Sequence, residues 1–454
     1  MRTLITCLIF LTSFAPPSLA AEVKPNIIYI MVDDAGLGDF GPYGGKVVPT
    51  PNVDKLAREG MLFTNAYSGS AVCAPTRCVL MTGMHTGHCT RRANASKNGL
   101  IALRADQVTL AEPLKKAGYA TAGFGKWALG NPGTTGVPEA HGFDLFYGYY
   151  DQTHAHNYFP AFLVRNSKEE ALKGGNGVSG KAGKSDTYAV DMIMDEMIAF
   201  IEKNKGKPFF VYGCWTLPHG NFEIPSDEPF SNKPWPQPVK NHAAMIARLD
   251  RDLGTVMAKL KELKLDEKTL VIFSSDNGAS GPGVKTFNSS GDLRGLKRSL
   301  YEGGIRMPLI ARWPGKVKAG STSDLLTSHV DAFATLCDLA GAPKPKKTDG
   351  ISILPTLLGA TQSTKHESLY WEIYEGPAPF QQAVRMGNWK GYRTALKGPL
   401  ELYDLSKDAA EANDVAKQHA DVVKRIEAIM EAEHVTNPNW DPIVNLGDKR
   451  KGKK

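Results

Sequence analysis

Short, continuous apolar runs alternate along this chain with longer segments of helical periodicity, and that alternation restricts the fold more than any other feature. The runs are Asn26–Val32, 121–125, 208–215, Thr269–Ser275 and 307–313. A strand with one wet face alternates apolar and polar residues; a run that is apolar throughout is covered on both faces, as in a parallel sheet flanked by helices. Segments 52–59, 110–117, 188–203, 243–263 and 331–340 supply the helical patterns. The expected fold class is therefore α/β, with a large, mostly parallel central sheet flanked by helices. Such sheets place ligands beyond the C-terminal ends of their strands. Two runs end there in carboxylates: Asp33-Asp34 after the first, and Asp276-Asn277-Gly278 after the fourth.

The 454 residues are 42% hydrophobic and 22% charged, which is ordinary globular material and enough chain for two or three domains. Ala342-Pro343-Lys344-Pro345-Lys346-Lys347 reads as a linker. Short strand-like pieces follow at Leu369–Ile373, 382–386, Trp389–Arg393 and 401–403, then a helix over 420–434. This divides the chain into a catalytic unit over 24–342, a C-terminal unit over 348–440 and a basic, disordered tail over 441–454. The Gly/Ser/Lys-rich stretch 174–184 reads as a mobile loop.

Residues 1–20 read as a secretory signal. Arg2 supplies the charge, 4–15 the apolar core and Ser18-Leu19-Ala20 the cleavage site. No later run reaches the ~20 apolar residues of a membrane span, so stable membrane insertion is not expected. Cys7 lies within the apolar core, which disfavours a lipoprotein anchor. The reading is a periplasmic or extracellular protein. The five remaining cysteines, at 73, 78, 89, 214 and 337, are too few for a disulfide scaffold, and their pairing is not legible. A net charge of +7 favours anionic partners such as a sulfated glycan; no nucleic-acid module is present to exploit it.

Three carboxylates and one amide oxygen, at Asp33, Asp34, Asp276 and Asn277, form an all-oxygen set that suits Ca²⁺ better than zinc or copper. Either pair alone is equally explained as a turn after a strand. Cys73-Ala74-Pro75-Thr76-Arg77 lies within 73–83, whose Cys73 read alone is as well explained as a small buried hydrophobe.

The segment C-x-P-[ST]-R followed by a hydrophobic-Thr-Gly resembles the sulfatase signature. Other segments are similar to that family in the same order: Thr50-Pro51-Asn52-Val53-Asp54-Lys55-Leu56-Ala57, Gly125-Lys126-Trp127-Ala128-Leu129-Gly130, Glu302-Gly303-Gly304-Ile305-Arg306-Met307-Pro308, Asp349-Gly350-Ile351-Ser352 and Glu401-Leu402-Tyr403-Asp404-Leu405. The resemblance spans about 25–433. It implies an alkaline-phosphatase-like fold with a smaller C-terminal antiparallel sheet and one helix. It also implies that a dedicated formylglycine-generating maturation enzyme oxidises Cys73 to a formylglycine, whose hydrated aldehyde attacks sulfur. By the same resemblance, Asp33, Asp34, Asp276 and Asn277 hold one Ca²⁺ that also contacts residue 73. Asp276 takes the proton of the attacking hydroxyl, and His219 protonates the leaving oxygen. Arg77, Lys126 and Lys297 hold the sulfate and offset the developing charge.

One departure stands out. Many members read G-K-W-H-L-G, and this chain has Ala128 where they carry a histidine that assists the final elimination. His154 and His156, in Gln152-Thr153-His154-Ala155-His156-Asn157, are the nearby imidazoles that could serve as base or bind substrate. Export, basic charge and the aromatic residues Tyr158, Phe159, Trp371 and Tyr374, read as sugar-stacking surfaces, point to a sulfated carbohydrate substrate. Two other readings stay open: a phosphonate monoester or phosphodiester hydrolase of the same superfamily, and a sulfated-glycan-binding protein without turnover.

Overall fold

The computed structural model describes residues 24–96, 99–176, 183–345 and 347–440. The expected signal segment, the basic tail and the middle of the Gly/Ser/Lys-rich loop lie outside the described residues.

The larger sheet has ten strands. In chain order they are β1 (Asn26–Val32), β2 (Met61–Phe63), β3 (Ala120–Lys126), β4 (Leu145–Tyr149), β5 (Phe162–Arg165), β6 (Lys168–Ala171), β7 (Phe209–Cys214), β8 (Thr269–Ser275), β9 (Leu309–Arg312) and β10 (Ser321–Ser323). Their spatial order is β10-β2-β9-β8-β1-β7-β3-β4-β5-β6. The five central strands β8, β1, β7, β3 and β4 run parallel, and antiparallel pairings close both flanks.

Burial on both faces explains the apolar runs. Ile27, Tyr29 and Met31 of β1 enter one core with α2 (Cys73–Thr82) and α5 (Val330–Ala340). Ile28, Ile30 and Val32 enter a second core with α3 (Ala189–Lys203) and α4 (Gln237–Glu262). The expected helix 52–59 is α1 (Pro51–Arg58), which opens on a proline whose missing N–H costs nothing at that position.

A four-stranded antiparallel sheet follows: β11 (Leu369–Ile373), β12 (Gln381–Met386), β13 (Trp389–Arg393) and β14 (Glu401–Asp404). Its one face packs on α6 (Ala420–Ala432) through Val422, Ile426 and Met430. Its other face shares a core with the larger unit, where Leu369, Trp371 and Ile373 meet Tyr67, Val72, Leu300 and Ile305. The fold is the α/β class expected, with the small antiparallel sheet beside it.

Two of the residues read as sugar platforms are corrected here. Trp371 is buried in that shared core, and its indole N–H donates to the Ser68 carbonyl. Tyr158 is fully buried, with its hydroxyl 2.7 Å from the carbonyls of Thr216 and His219, so it braces the His219 loop instead of facing solvent. Among the described residues no helix is long and apolar enough to cross a membrane.

Candidate active site

Parallel register builds the site. Val32 pairs with Ser275, so Asp33 and Asp276 leave the sheet side by side at the C-terminal ends of β1 and β8. Asp34 then takes a left-handed φ of 72°, a conformation that Asp tolerates better than most residues. That turn lets its backbone N–H donate to Asp276 Oδ1 at 3.1 Å. Asn277 Nδ2 donates to Asp34 Oδ1 at 2.8 Å.

Cys73 is the first residue of α2, fully buried at the positive end of the helix. Its Sγ lies 3.2 Å from Asp33 Oδ1 and 3.3 Å from Lys297 Nζ. Lys297 also reaches Asp34 Oδ1 at 2.6 Å. One turn along α2, Arg77 pairs with Asp276 at 2.9 Å and Asp33 at 3.3 Å. Lys126, at the end of β3, pairs with Asp33 at 2.7 Å. Gly125 makes this delivery possible: at its φ of 120°, a Cβ would collide with the Cys214 carbonyl of β7. His219 presents Nε2 to Asp34 Oδ2 at 3.4 Å, while its Nδ1 is 3.0 Å from the Gly220 carbonyl.

The cluster sets unusual proton affinities. Burial works to raise the Asp33 pKa, but Lys126, His219, Arg77 and Lys297 together hold it well below the usual carboxylate range. Burial and then the Asp33 charge push Asp276 up to about 7, against Arg77. Burial and then Asp33 push the Cys73 thiol well up, so the encoded side chain is not a thiolate at neutral pH. Burial pulls His219 down to about 4 against the pull of Asp34.

The oxygen set fits a hard divalent cation. Asp33 and Asp34 converge with Cys73 and His219, Asp276 lies beside them against the Asp34 N–H, and the buried Asn277 Oδ1 has no hydrogen-bond partner among the described residues, as expected of an oxygen reserved for a ligand.

The two histidines of the 152–157 loop part company. His156 stacks on His219, with centroids 4.3 Å apart at 22°, and its buried Nε2 has no partner. His154 turns the other way, into the core, against Tyr149 at 5.1 Å and Phe162 at 4.5 Å. Sequence reasoning overlooked Asn94, whose Oδ1 accepts from the Ala74 N–H beside Cys73 at 3.1 Å. No spacing in the chain signals that contact.

The sulfatase family profile matches residues 25–342, and the profile of the N-sulphoglucosamine sulphohydrolase C-terminal region matches residues 295–436. Arylsulfatase A of Bos taurus is 32% identical over 92% of this chain and 90% of its own length. An N-acetylgalactosamine-6-O-sulfatase of Bacteroides thetaiotaomicron is 30% identical over 90% of this chain and 93% of its own. The crystal structure of Ps i-CgsB in complex with k-i-k-neocarrahexaose superimposes with a TM-score of 0.82 at 27% identity, over 95% of this chain and 98% of that one. The chain belongs to the sulfatase family, hydrolases of sulfuric esters.

Proposed function

We propose that this protein is exported and hydrolyses a sulfate ester of a sulfated carbohydrate, with Cys73 converted to formylglycine by a maturation enzyme and one Ca²⁺ held by Asp33, Asp34, Asp276 and Asn277. The observation that carries the reading is a buried network of three carboxylates and three cations that reaches the side chain of residue 73 through Asp33 and Lys297. The carbohydrate is supported by the relative named for an N-acetylgalactosamine sulfate and the neighbour bound to a neocarrahexaose.

Formylglycine supplies a nucleophile that an encoded side chain lacks, and Ca²⁺ supplies a charge that screens the carboxylates and polarises a sulfate oxygen. The chain's own residues do the rest. Arg77 and Lys126 are fully buried and Lys297 partly so, each held by a carboxylate before substrate arrives, so they stabilise the charge that develops with little reorganisation. Asp276, with its raised proton affinity, suits removal of a proton at its carboxylate. His219 holds Nδ1 against the Gly220 carbonyl and turns Nε2 to the cluster. An incoming anion raises the proton affinity of that Nε2, which lets it deliver a proton to the leaving oxygen. His156, kept neutral by burial, offers an unpartnered Nε2 beside it, where it serves as the base that Ala128 does not provide.

The test is inorganic sulfate release from a panel of sulfated oligosaccharides, using protein whose residue-73 peptide carries formylglycine by mass. Release from one member and its loss in Cys73→Ala are expected. No release by converted protein, with faster turnover of phosphodiesters, would reject the reading. Added Ca²⁺ should raise the melting temperature, and the mature chain should begin at Ala21 by N-terminal sequencing.

A further inference from the structure

Arg91 is a buried cation without an anion. It is 1% exposed, as are Arg92 and, at 0%, Arg77. Those two carry their own carboxylates: Arg77 has Asp276 and Asp33, and Arg92 has Glu372 at 2.5 Å. Arg91 has none. Its Nη1 donates to the Ile101 carbonyl at 2.7 Å and its Nη2 to the Asn94 carbonyl at 2.6 Å, while Nε has no partner. Burial lowers its proton affinity, and Cys78, Cys89 and then Glu375 and Asp151 act on it through space. Glu375 is engaged by Asn94 at 2.7 Å and Arg298 at 3.5 Å, and Asp151 by Asn131 at 3.1 Å and the backbone of Thr153 and His154. Burying a charge is costly unless something pairs with it.

Arg91 lines a cavity of about 70 Å³ together with Asn131, Tyr150 and Gln152. Of its polar lining, the buried Arg91 Nε is the donor left without a partner among the described residues. The cavity volume is several times the ~10–15 Å³ that a single water needs, so the space has room for a small oxyanion group. The cavity borders the reaction centre. Ala128 forms part of its wall, two residues beyond Lys126. Asn94, whose carbonyl holds Arg91, also accepts from the Ala74 N–H beside Cys73.

We infer that the Arg91 cavity takes a second oxyanion of the substrate, a uronate carboxylate or a further sulfate, close to the ester that is cleaved. The proposal rests on the sulfatase reading and narrows it to multiply anionic glycans. A bidentate guanidinium is suited to either group.

Binding and turnover are measured separately. Calorimetry with the Cys73→Ala chain, which has no side-chain heteroatom to oxidise, compares three oligosaccharides that share one sulfate ester: a neutral one, one with an added uronate, and one with a second sulfate. At least one anionic probe should bind tenfold or more tighter than the neutral one. The arm that does so tells carboxylate from sulfate. Arg91→Met in the same background should reduce that preference to about one. Ala128→Leu, which adds volume at another lining position of the cavity, should do the same. No preference in the parent, or a preference that survives both changes, overturns the proposal. A melting temperature lowered by more than about 5 °C in Arg91→Met, with the preference intact, would make Arg91 a structural strut instead. Sulfate release by the formylglycine-bearing chain is scored independently, so a failed sulfatase reading would show there while the binding preference still stood.

Discussion

The molecule buries two clusters of charge, and they differ in what they leave over. One surrounds Cys73. The other lies where the larger unit meets the small sheet: Lys390 of β13 pairs with Glu302 at 2.9 Å and Glu411 at 3.3 Å, Tyr67 donates to Glu302 at 2.7 Å, and the Glu302 N–H donates to Glu411 at 2.6 Å. Each cluster contains a carboxyl pushed up to about 7, mainly by burial: Asp276 in the first and Glu411 in the second. Proton affinity therefore does not distinguish them. Unspent atoms do. Glu302, Lys390, Glu411 and Tyr67 have no unpartnered buried polar atom, with only Arg385 Nη1 left over at their margin, whereas within the first cluster Asn277 Oδ1 and Arg77 Nε are unpartnered. A cluster closed on itself acts as a fastener, and one with polar atoms in reserve is a receptor.

That distinction makes quantitative expectations. Cys73→Ala should lower sulfate release by at least ~10⁴-fold, as removal of a covalent nucleophile does, while the melting temperature holds. Retained turnover would dissolve the contrast. Lys390→Met should do the opposite: it strands two buried carboxyls and costs about 3–5 kcal/mol in urea unfolding, with kcat per folded molecule unchanged. A kinetic defect without destabilisation would make the second cluster functional too. His219→Gln should cost ~10²–10⁴-fold, the range for a general acid, and more with a sugar leaving group than with an acidic phenol. A loss independent of the leaving group would remove His219 from proton delivery. His156→Phe keeps the stacked ring without the nitrogen and should cost less than His219→Gln. Equal losses would make the two imidazoles one functional unit.

Legibility in the sequence followed the same division between local pattern and spatial convergence. β1 and β8 are read residue for residue, because every position is apolar and buried on both faces. The carboxylate pairs that end them are legible for the same reason, since neighbouring parallel strands in register bring their ends together. α2 is missed as a helix: all ten of its residues are buried, so it has no polar stripe to show a period. α4 begins before position 243 because Gln237-Pro238 starts it, and a proline reads as punctuation when it can equally open a helix. β4, Leu-Phe-Tyr-Gly-Tyr, is too short and glycine-bearing to register. Within the site, the family motifs named Lys126, His219 and Lys297. Nothing along the chain separates His156 from His154, two residues apart, because a single turn sends one to His219 and the other into the core.

The smallest expected effect bears on the fastener alone. Glu302 and Glu411 face each other across Lys390; burial, followed by the neighbouring Glu302 charge, raises Glu411, while Lys390 and Arg306 hold Glu302 down. The pair therefore keeps one proton into the neutral range. A carboxyl whose pKa is higher folded than unfolded stabilises the fold fully below its unfolded value, near 4.5, and loses that contribution as pH rises through about 7. The loss should be on the order of 1–3 kcal/mol. Glu411→Gln, which cannot ionise, should escape it. In urea unfolding at pH 5 and pH 8, the stability of the parent relative to Glu411→Gln should fall with pH and level off above 8. Parallel profiles would mean that Glu411 is ionised throughout and that Lys390 balances both carboxylates. The receptor should respond differently to pH, because a bound cation would add to the compensation that Asp276 has from Arg77, whereas Glu411 has only Lys390 and a proton.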